Sequence, residues 1–322
     1  MFEERKINPE LLKQYREQGY WKNETLLDCW ERAAAQYPDR EYVVDDRGYR
    51  YTYRELDEAA GRVASYLMEL GIRPGEVVSY QFPIWSEFAM LTIACYKVGA
   101  VAHPIAMSYE EKELARSLNV TESRCYFGPT YFYKTDYEER ILAVRDQTPL
   151  LKDIVLIDSV KPAKSSVRLL REILASYEPL PKEQCVHTKN GQDIAVILCT
   201  SGTTGGTKGV LLSHDNVRFA EEAFNRELGL TKEDIMFMPA PLHHATGFHH
   251  AIIAPMLYGG KVVLQQKYQC RAAIDLMNRE KVTYSMGATP FIYDILRELD
   301  ANGGGLPTLK FYLCGGAPVP GY

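Results

Sequence analysis

The sequence predicts an α/β protein built from parallel β-sheets that helices cover on both faces. Segments with helical spacing of apolar residues alternate with short segments that are apolar almost throughout, and this alternation repeats along the chain. A strand that is apolar on both sides must be covered on both sides, as in a parallel sheet between helices. At 322 residues the chain is long enough for more than one packing unit.

The first series of elements lies in the N-terminal part of the chain. Apolar residues recur on one side of Leu26–Tyr37, which predicts a helix. A second predicted helix, Glu55–Leu70, is closed by Gly71 and by the turn pair Pro74-Gly75. The further elements predicted in this series are the strands Val77–Phe82, Ala100–Ile105 and Ser123–Phe127 and the helices Glu87–Val98 and Glu110–Leu118.

A polar stretch, Ser159–Gly191, separates this series from a second one, although it contains a helix-like segment, Val167–Ser176. The second α/β series consists of the segments Ile194–Cys199, Asn216–Glu227, Ile235–Met238, Gly247–Leu257, Lys261–Leu264, Ala272–Glu280, Tyr284–Met286, Phe291–Leu299 and Phe311–Cys314. We therefore expect two stacked α/β lobes, at about residues 50–190 and 191–322, with the N-terminal helix packing on one of them. A ligand is expected between the lobes, at the C-terminal ends of the strands.

Composition and charge exclude several functional classes. The hydrophobic content of 46% and charged content of 25% are typical of globular proteins. The net charge of −5 gives no basic field for nucleic acid or anionic lipid. Seven scattered cysteines without a CxxC pair indicate buried, reduced thiols. The charged N-terminus is unlike a signal peptide, and apolar runs such as Ala251–Leu257 are too short to cross a bilayer. We expect a cytoplasmic protein without an integral membrane segment.

The stretch Thr200–Gly209 carries the clearest chemical signal. It follows an apolar strand and combines glycines, hydroxyl side chains and one cation, Lys208. Glycines let the backbone turn its N–H groups inward, so such a loop can hold a polyphosphate. A flexible turn without function has little reason to combine these residue types. The candidate phosphate-binding residues are Thr200, Ser201, Gly202, Thr203, Thr204, Gly205 and Lys208.

This loop does not fit the Walker motif of P-loop nucleotide hydrolases. Counting from Gly202, the second required glycine falls on Thr207, and the residue after Lys208 is Gly209 instead of Ser or Thr. The β-favouring run Val210–Leu212 follows, where a Walker loop would lead into a helix. We therefore expect the loop to join two strands.

The loop resembles the phosphate-binding signature S/T-S-G-T-T-G-x-P-K-G of the adenylate-forming superfamily, which contains acyl-CoA synthetases, peptide-synthetase adenylation domains and luciferases. Thr207 stands where proline is usual, which removes a fixed φ but no hydrogen-bond donor. Further segments resemble family elements in the same order, namely Tyr51–Leu56 (TYxEL), Tyr96–Pro104 (KxGAxxxP), Pro241–Gly247 (PLFHxxG) and Leu313–Pro318 (GGAP). These matches cover most of the chain.

The resemblance implies ATP-dependent activation of a carboxylic acid to an acyl-adenylate, followed by thioester formation with CoA, with Mg²⁺ as the metal that accompanies ATP. It implies catalytic roles for Lys208 and His244, with His244 orienting the carboxylate or gating the acyl tunnel. The residues that would border the adenine are Gly315, Gly316, Ala317 and Pro318.

Two segments, Pro239–Phe248 and Gly287–Asp294, look most like bacterial short- and medium-chain fatty acyl-CoA ligases and the related cyclohexanecarboxylate-CoA ligases. This finer resemblance implies a short- or medium-chain or alicyclic acid as substrate. The residues expected to line the acyl pocket are Gly287, Ala288, Thr289 and Pro290.

Several alternatives stay open. His244 is the leading candidate beside His243, His249 and His250, although a packed or N-capping histidine is the alternative. A metal site is not expected, because no carboxylate or cysteine near His244 and His249 completes a ligand set. The segment Gly287–Pro290 would also suit an ordinary strand-to-helix turn. Lys267 is interpreted as a solvated lysine, with a contact to CoA as the alternative.

The functional alternatives are a carrier-protein-loading adenylation domain and a nucleotide-binding fragment without catalysis. The family's later elements, including its C-terminal lid and lysine, are expected beyond Tyr322, so we expect residues 1–322 to be a truncated N-terminal AMP-binding domain that is inactive alone. Its cut edge would expose apolar surface, which favours a homodimer.

Overall fold

The computed structural model describes residues 8–158, 160–200 and 208–315, with only the backbone of Thr200. The helices are α1 (Pro9–Glu17), α2 (Leu26–Gln36), α3 (Tyr53–Glu69), α4 (Glu87–Lys97), α5 (Glu111–Val120), α6 (Tyr137–Ala143), α7 (Leu170–Ser176), α8 (His214–Glu227), α9 (Ala245–Gly247), α10 (Ala254–Tyr258), α11 (Cys270–Arg279) and α12 (Thr289–Asn302). A π-helical segment, Phe248–Ile253, joins α9 to α10.

The strands belong to three sheets. They are β1 (Glu41–Asp45), β2 (Arg50–Thr52), β3 (Val77–Tyr80), β4 (Val101–Pro104), β5 (Cys125–Pro129), β6 (Tyr131–Phe132), β7 (Thr135–Asp136), β8 (Asp153–Ile157), β9 (Arg168–Leu169), β10 (Ile194–Thr200), β11 (Lys208–Ser213), β12 (Ile235–Met238), β13 (Lys261–Leu264), β14 (Tyr284–Gly287) and β15 (Phe311–Cys314). The pair β6–β7 forms a small two-stranded sheet by itself.

The first large sheet has seven strands in the order β11-β10-β4-β3-β5-β8-β9. All of its neighbouring strands run parallel except β10 and β11, which form an antiparallel hairpin at one edge. The strands β3, β4 and β5 are buried along their whole length. This explains why they read as nearly continuous apolar segments without period-two alternation.

The second large sheet has six strands in the order β15-β14-β12-β13-β1-β2. It is parallel except for β2, which pairs antiparallel with β1. Strand β13 lies between β12 and β1, so that Val262 pairs with Met236 on one side and Val43 on the other. Helices α11 and α12 contribute Ile274 and Ile295 to the core on this sheet. Their apolar faces are therefore covered by the strands, as the sequence predicts.

The chain divides into two compact units that interleave in sequence. The first comprises Met1–Cys29, Asp57–Phe82 and Met90–Ala220, and the second comprises Trp30–Leu56, Pro83–Ala89 and Glu221–Tyr322. This division differs from the expected lobes 50–190 and 191–322 for a physical reason. Strand β10 pairs with β4 and so belongs to the first sheet, whereas β1 pairs with β13 and belongs to the second. The predicted N-terminal helix, now α2, is divided between the units at Cys29 and Trp30.

Most predicted elements are present with bounds that shift by a few residues. The expected strand–loop–strand arrangement around the glycine-rich loop is confirmed by the β10–β11 pairing. Strands β1 and β8 are absent from the predicted elements, although both are mostly buried. The seven cysteines are thiols that take part in no disulfide, and four of them are buried. Within the described ranges, no helix has the length and apolar character that crossing a membrane requires.

Candidate functional site

The glycine-rich loop connects the two strands of the β10–β11 hairpin. The ladder runs up to the pairs Cys199 with Gly209 and Thr200 with Lys208, so the loop leaves the sheet directly after a paired position. The first residue of β11, Lys208, is exposed. The candidates Ser201, Gly202, Thr203, Thr204 and Gly205 lie outside the described residues. The hairpin therefore fixes the backbone at both ends of the expected phosphate loop.

A buried polar network lies beside the last residues of β10. The Nε2 atom of His103 is 3.5 Å from the sulfur of Cys199, and its Nδ1 atom is 2.7 Å from Oγ of Ser79. Ser117 approaches the same imidazole at 3.3 Å. Burial lowers the pKa of His103 to about 3, so its ring is neutral at physiological pH. The network thus joins β3, β4 and β10 through a neutral imidazole. Its member on β10 is Cys199, the residue before Thr200.

The other candidates meet at the carboxyl edge of the second sheet. Strands β12, β14 and β15 are parallel neighbours, so their C-terminal ends lie at the same edge. Gly287 ends β14 and pairs with Cys314 at the end of β15. The amide of Gly315 then donates a hydrogen bond to the carbonyl of Gly287, 3.3 Å away. The candidates Gly316, Ala317 and Pro318 lie outside the described residues.

Gly287 lies where no side chain fits. A β-carbon there would be 2.7 Å from Oη of Tyr312, 2.9 Å from Cδ2 of Phe291 and 3.2 Å from Cγ of Pro239. Real β-carbons essentially never approach heavy atoms closer than about 3 Å, so a larger residue would displace these rings. The glycine therefore sets the space available at this edge of the sheet.

The next residues after Gly287 start helix α12. Ala288 takes the N-cap position in an extended conformation, and Pro290 follows in the first turn, where its fixed φ and missing N–H are tolerated. Thr289 is buried, whereas Ala288 and Pro290 are exposed. The alternative of an ordinary strand-to-helix turn therefore describes the backbone well, and it is compatible with exposed side chains that face a ligand.

His244 follows β12 and precedes helix α9. Its backbone carbonyl accepts a hydrogen bond from the amide of Phe248 at 2.9 Å, which makes His244 the N-cap residue. Its imidazole is exposed and makes no capping hydrogen bond. A β-carbon on Gly247 would collide with the carbonyl oxygen of Pro241, so this glycine is needed to turn the chain so tightly. The N-capping alternative thus holds for the backbone, while the ring of His244 is left available to solvent.

The neighbouring histidines have other surroundings. His249 Nδ1 lies 3.2 Å from Oε1 of Glu221, and His250 Nδ1 lies 2.9 Å from Oε2 of the same carboxylate. Burial acts to raise the pKa of Glu221, but its hydrogen bonds with the two imidazoles outweigh burial and the net shift is downward. Burial also lowers the pKa of His243 to about 4. Of the four histidines, His244 is therefore the exposed one at the carboxyl edge.

Sequence analysis does not identify Glu221, Tyr312 or Phe291 as part of these surroundings. Glu221 lies 28 residues from His249 in sequence, and nothing in the local pattern of α8 indicates that its carboxylate meets two imidazoles. Tyr312 and Phe291 approach Gly287 through strand pairing and helix packing. The one signal in the sequence is the glycine at the end of a predicted strand, because such a glycine often marks a place where backbone or side chains approach closely.

Comparison with known proteins agrees with this architecture. The model of the family described as AMP-binding enzyme matches residues 30–321. The medium-chain fatty-acid–CoA ligase of Escherichia coli (strain K12) is 40% identical over 306 residues, which are 95% of this chain and 53% of that protein. The chain thus spans about half the length of the curated relatives it matches.

Solved structures share the fold. The apo structure of Mycobacterium smegmatis MbtA superposes with a TM-score of 0.84 at 24% identity, over 97% of this chain and 56% of that one. The inhibitor-bound N-terminal domain of FACL13 from Mycobacterium tuberculosis gives a TM-score of 0.81 at 24% identity, over 92% of this chain and 71% of that one. The family match over most of its length and the 40%-identical relative establish that the chain belongs to the AMP-binding enzyme family.

Proposed function

We propose that this chain supplies the adenylating part of an AMP-forming acyl-CoA synthetase. The observation that carries the proposal is a loop rich in glycine and hydroxyl residues, ending in Lys208, between two paired strands of a member of the AMP-binding family. A relative that is 40% identical is named a medium-chain fatty-acid–CoA ligase, which supports a fatty acid as the substrate.

The proposed reaction has two steps. A carboxylate oxygen attacks the α-phosphorus of ATP, and the bond to pyrophosphate breaks, which gives the acyl-adenylate. The sulfur of CoA then attacks the acyl carbon, AMP leaves with the electrons of the broken C–O bond, and the thiol proton passes to solvent. Negative charge concentrates on phosphate oxygens in the first step, so positioning and electrostatic stabilisation are the main tasks of the protein.

Lys208 and the loop would carry the electrostatic part of this task. The ammonium group of Lys208 would neutralise the β- and γ-phosphates while backbone N–H groups and hydroxyls of Thr200–Gly205 donate hydrogen bonds to them. Mg²⁺ would be held mainly by the phosphates, as it commonly is with nucleotides.

The carboxyl edge of the second sheet would receive the acid and the adenine. The exposed imidazole of His244 would orient the carboxylate. Gly287, with Ala288, Thr289 and Pro290, would line the acyl pocket, and Gly315–Pro318 would border the adenine. The described members of this set are apolar or uncharged apart from His244, and they offer no acid to pair with an amino group. This supports an unsubstituted aliphatic or alicyclic acid as substrate instead of an amino acid.

Pyrophosphate exchange on the full-length protein tests the proposal. We expect octanoate or cyclohexanecarboxylate to drive exchange of labelled pyrophosphate into ATP, with acyl-CoA appearing when CoA is added. Exchange with these acids but no thioester with CoA would favour a carrier-protein-loading domain. Exchange driven by a free α-amino acid, with fatty and alicyclic acids inert, would overturn the substrate assignment.

We further propose that residues 1–322 alone do not make acyl-CoA. The matched relatives are about twice as long, and the 40%-identical ligase is covered over 53% of its length. An adenylating site that loses the wall and the water-excluding lid on one side should bind ATP weakly. Turnover by the 322-residue chain close to that of the full-length protein would refute this.

A further inference from the structure

A cavity of about 260 Å³ lies within the first unit, at the amino edge of the seven-stranded sheet. Its lining includes Val101 at the start of β4, Ile194 at the start of β10 and Gly75, two residues before β3. The glycine-rich loop leaves the opposite, carboxyl end of β10. The cavity is therefore separate from the expected phosphate loop, with the length of β10 between them.

The walls of the cavity are fixed by backbone hydrogen bonds between segments that are distant in sequence. The amide of Gly75 donates to the carbonyl of Gly99 at 2.8 Å, and the amide of Val186 donates to the carbonyl of Lys97 at 2.8 Å. The amide of His214 donates to the carbonyl of Asp193 at 3.1 Å. These bonds hold the walls before any ligand arrives, so little ordering would be needed on binding.

His214 lines this cavity, and the hydrogen bond at one of its ring nitrogens decides which nitrogen carries the proton. It is buried, and its Nδ1 atom accepts a hydrogen bond from the amide of Leu26 at 3.1 Å. Because a backbone amide can only donate, Nδ1 carries no proton, and the neutral ring has its proton on Nε2. Burial lowers the pKa of His214 to about 4, so the ring is neutral at physiological pH. Within the described ranges, Nε2 makes no hydrogen bond.

The remaining lining decides which ligands suit the cavity. Leu27, Val101, Val186 and Ile194 supply apolar wall, and the ring of Tyr96 meets that of His214 edge-on with centroids 5.3 Å apart. Asp193 adds a carboxylate. A negative ligand would meet this carboxylate and a neutral imidazole, without a cation to pair with it. The lining thus favours an uncharged ligand with an apolar body.

We propose that this cavity is a second binding site, which takes a small uncharged molecule with a compact apolar body and one carbonyl or hydroxyl oxygen that accepts a hydrogen bond from Nε2 of His214. Its volume is below the roughly 300–1,000 Å³ of pockets for drug-sized ligands, so the ligand is smaller than a nucleotide or CoA. The site does not depend on the proposed synthetase activity.

Cyclohexanone is a suitable probe, with methylcyclohexane as the partner that lacks an acceptor and cyclohexanecarboxylate as the charged one. We expect protein-observed NMR to show saturable binding of cyclohexanone, with nuclear Overhauser effects to the ring protons of His214 and the methyl groups of Val186. Methylcyclohexane and the carboxylate should each bind at least about fivefold more weakly at this site. Methylcyclohexane cannot accept the hydrogen bond, and the carboxylate is repelled by the negative charge of Asp193.

Two substitutions at one position separate cavity binding from non-specific binding. Val186→Phe fills the half-buried wall and should abolish cyclohexanone binding, whereas Val186→Ala enlarges the cavity and should retain it. His214→Asn keeps an acceptor for the amide of Leu26, but its shorter side chain does not place a donor at the position of Nε2, so binding should weaken about fivefold to tenfold. Equal binding to the folded Phe and Ala variants would overturn the proposal. If a variant fails to fold, the absence of contacts between cyclohexanone and His214 in the unsubstituted protein would overturn it by itself.

Discussion

A β-carbon on Gly287 would lie 2.7 Å from the hydroxyl oxygen of Tyr312 on the neighbouring strand. Gly287 pairs with Cys314 on that strand. Tyr312 precedes Cys314 by two residues, so the two lie on the same face of the sheet. Its ring, together with those of Phe291 and Pro239, occupies the space that a side chain at position 287 would need. The absence of a side chain is therefore a packing requirement as well as a property of the proposed acyl pocket.

Gly287→Ala is expected to destabilise the protein by about 1–3 kcal/mol, because the new methyl group overpacks against three rings. Equilibrium denaturation measures the change in unfolding free energy. Arg297→Ala is the control, because Arg297 is exposed on helix α12 and its replacement should change the unfolding free energy by less than about 0.5 kcal/mol. An unchanged stability of the Gly287 variant would show that the rings move aside at little cost.

Lys208→Ala is expected to slow pyrophosphate exchange by the full-length protein by about 10²–10³-fold, as the loss of one electrostatic donor to a developing charge does in other enzymes. Stability should change little, because Lys208 is exposed. Lys13→Ala is the control, since that lysine is 75% exposed on helix α1 and lies 3.7 Å from Glu17. Exchange at the unsubstituted rate in the Lys208 variant would remove this lysine from the proposed mechanism.

Glu280 makes stability depend on pH. Arg50 Nη1 lies 2.9 Å from its Oε1, Lys261 Nζ lies 2.8 Å from its Oε2, and these cations hold its pKa at about 2, below the ordinary 4.5. A depressed carboxyl pKa contributes stability that is fully present above about pH 4.5 and is lost as the pH falls towards 2. Glu280→Gln should lower the unfolding free energy by about 1.5–3 kcal/mol at pH 7 and flatten its fall between pH 4.5 and 2.

Urea denaturation at a series of pH values measures this effect, with Glu227→Gln as the control. Glu227 pairs with Arg226 at 3.5 Å, but its side chain is 76% exposed, so the pair is screened by solvent. An equally steep pH dependence in the Glu280 variant and the unsubstituted protein would contradict the prediction.

The buried ion pair of Asp215 and Arg218 should be worth far more to stability than an exposed pair of the same length. Both side chains are 0% exposed and their charged atoms are 3.0 Å apart. Asp215→Ala removes the carboxylate that lies 3.0 Å from a buried guanidinium, which should cost about 3–5 kcal/mol. Asp39→Ala breaks a 3.0 Å pair with Arg54 whose side chains are 84% and 55% exposed, and should cost less than about 1 kcal/mol. Similar losses in thermal or chemical denaturation would refute the distinction.

The pattern of apolar residues predicts a strand correctly where every position of that strand is buried. Strands such as β3 and β4 are buried at every position, so their apolar runs predict them directly. The pattern does not predict strand β1, although its middle residues are equally apolar, because the charged residues Glu41 and Asp45 bound it. In the fold these charges pair with Arg50 and Arg47. The partner of a strand is likewise not encoded locally, which is why the boundary between the units could not be placed from the sequence.

The candidate site shows the same contrast. The glycine-rich loop was identified from its residue types, and its place in a hairpin followed from the β-favouring run after Gly209. The distinction among four histidines could not be made, because it depends on Glu221, which approaches His249 and His250 only in the folded chain. Close packing around Gly287 depends in the same way on rings from separate elements.

The interleaving of the two units has a consequence for synthesis on the ribosome. Strand β1 lies between β2 and β13 in the finished sheet, but β13 emerges about 200 residues after β1. At roughly 5–20 residues per second, β1 waits for about 10–40 s with only the short β2 as a neighbour, and an isolated two-stranded hairpin is marginally stable. During this interval its apolar edge is open to other nascent chains. The protein should therefore depend on chaperones that bind extended apolar segments while it is being made.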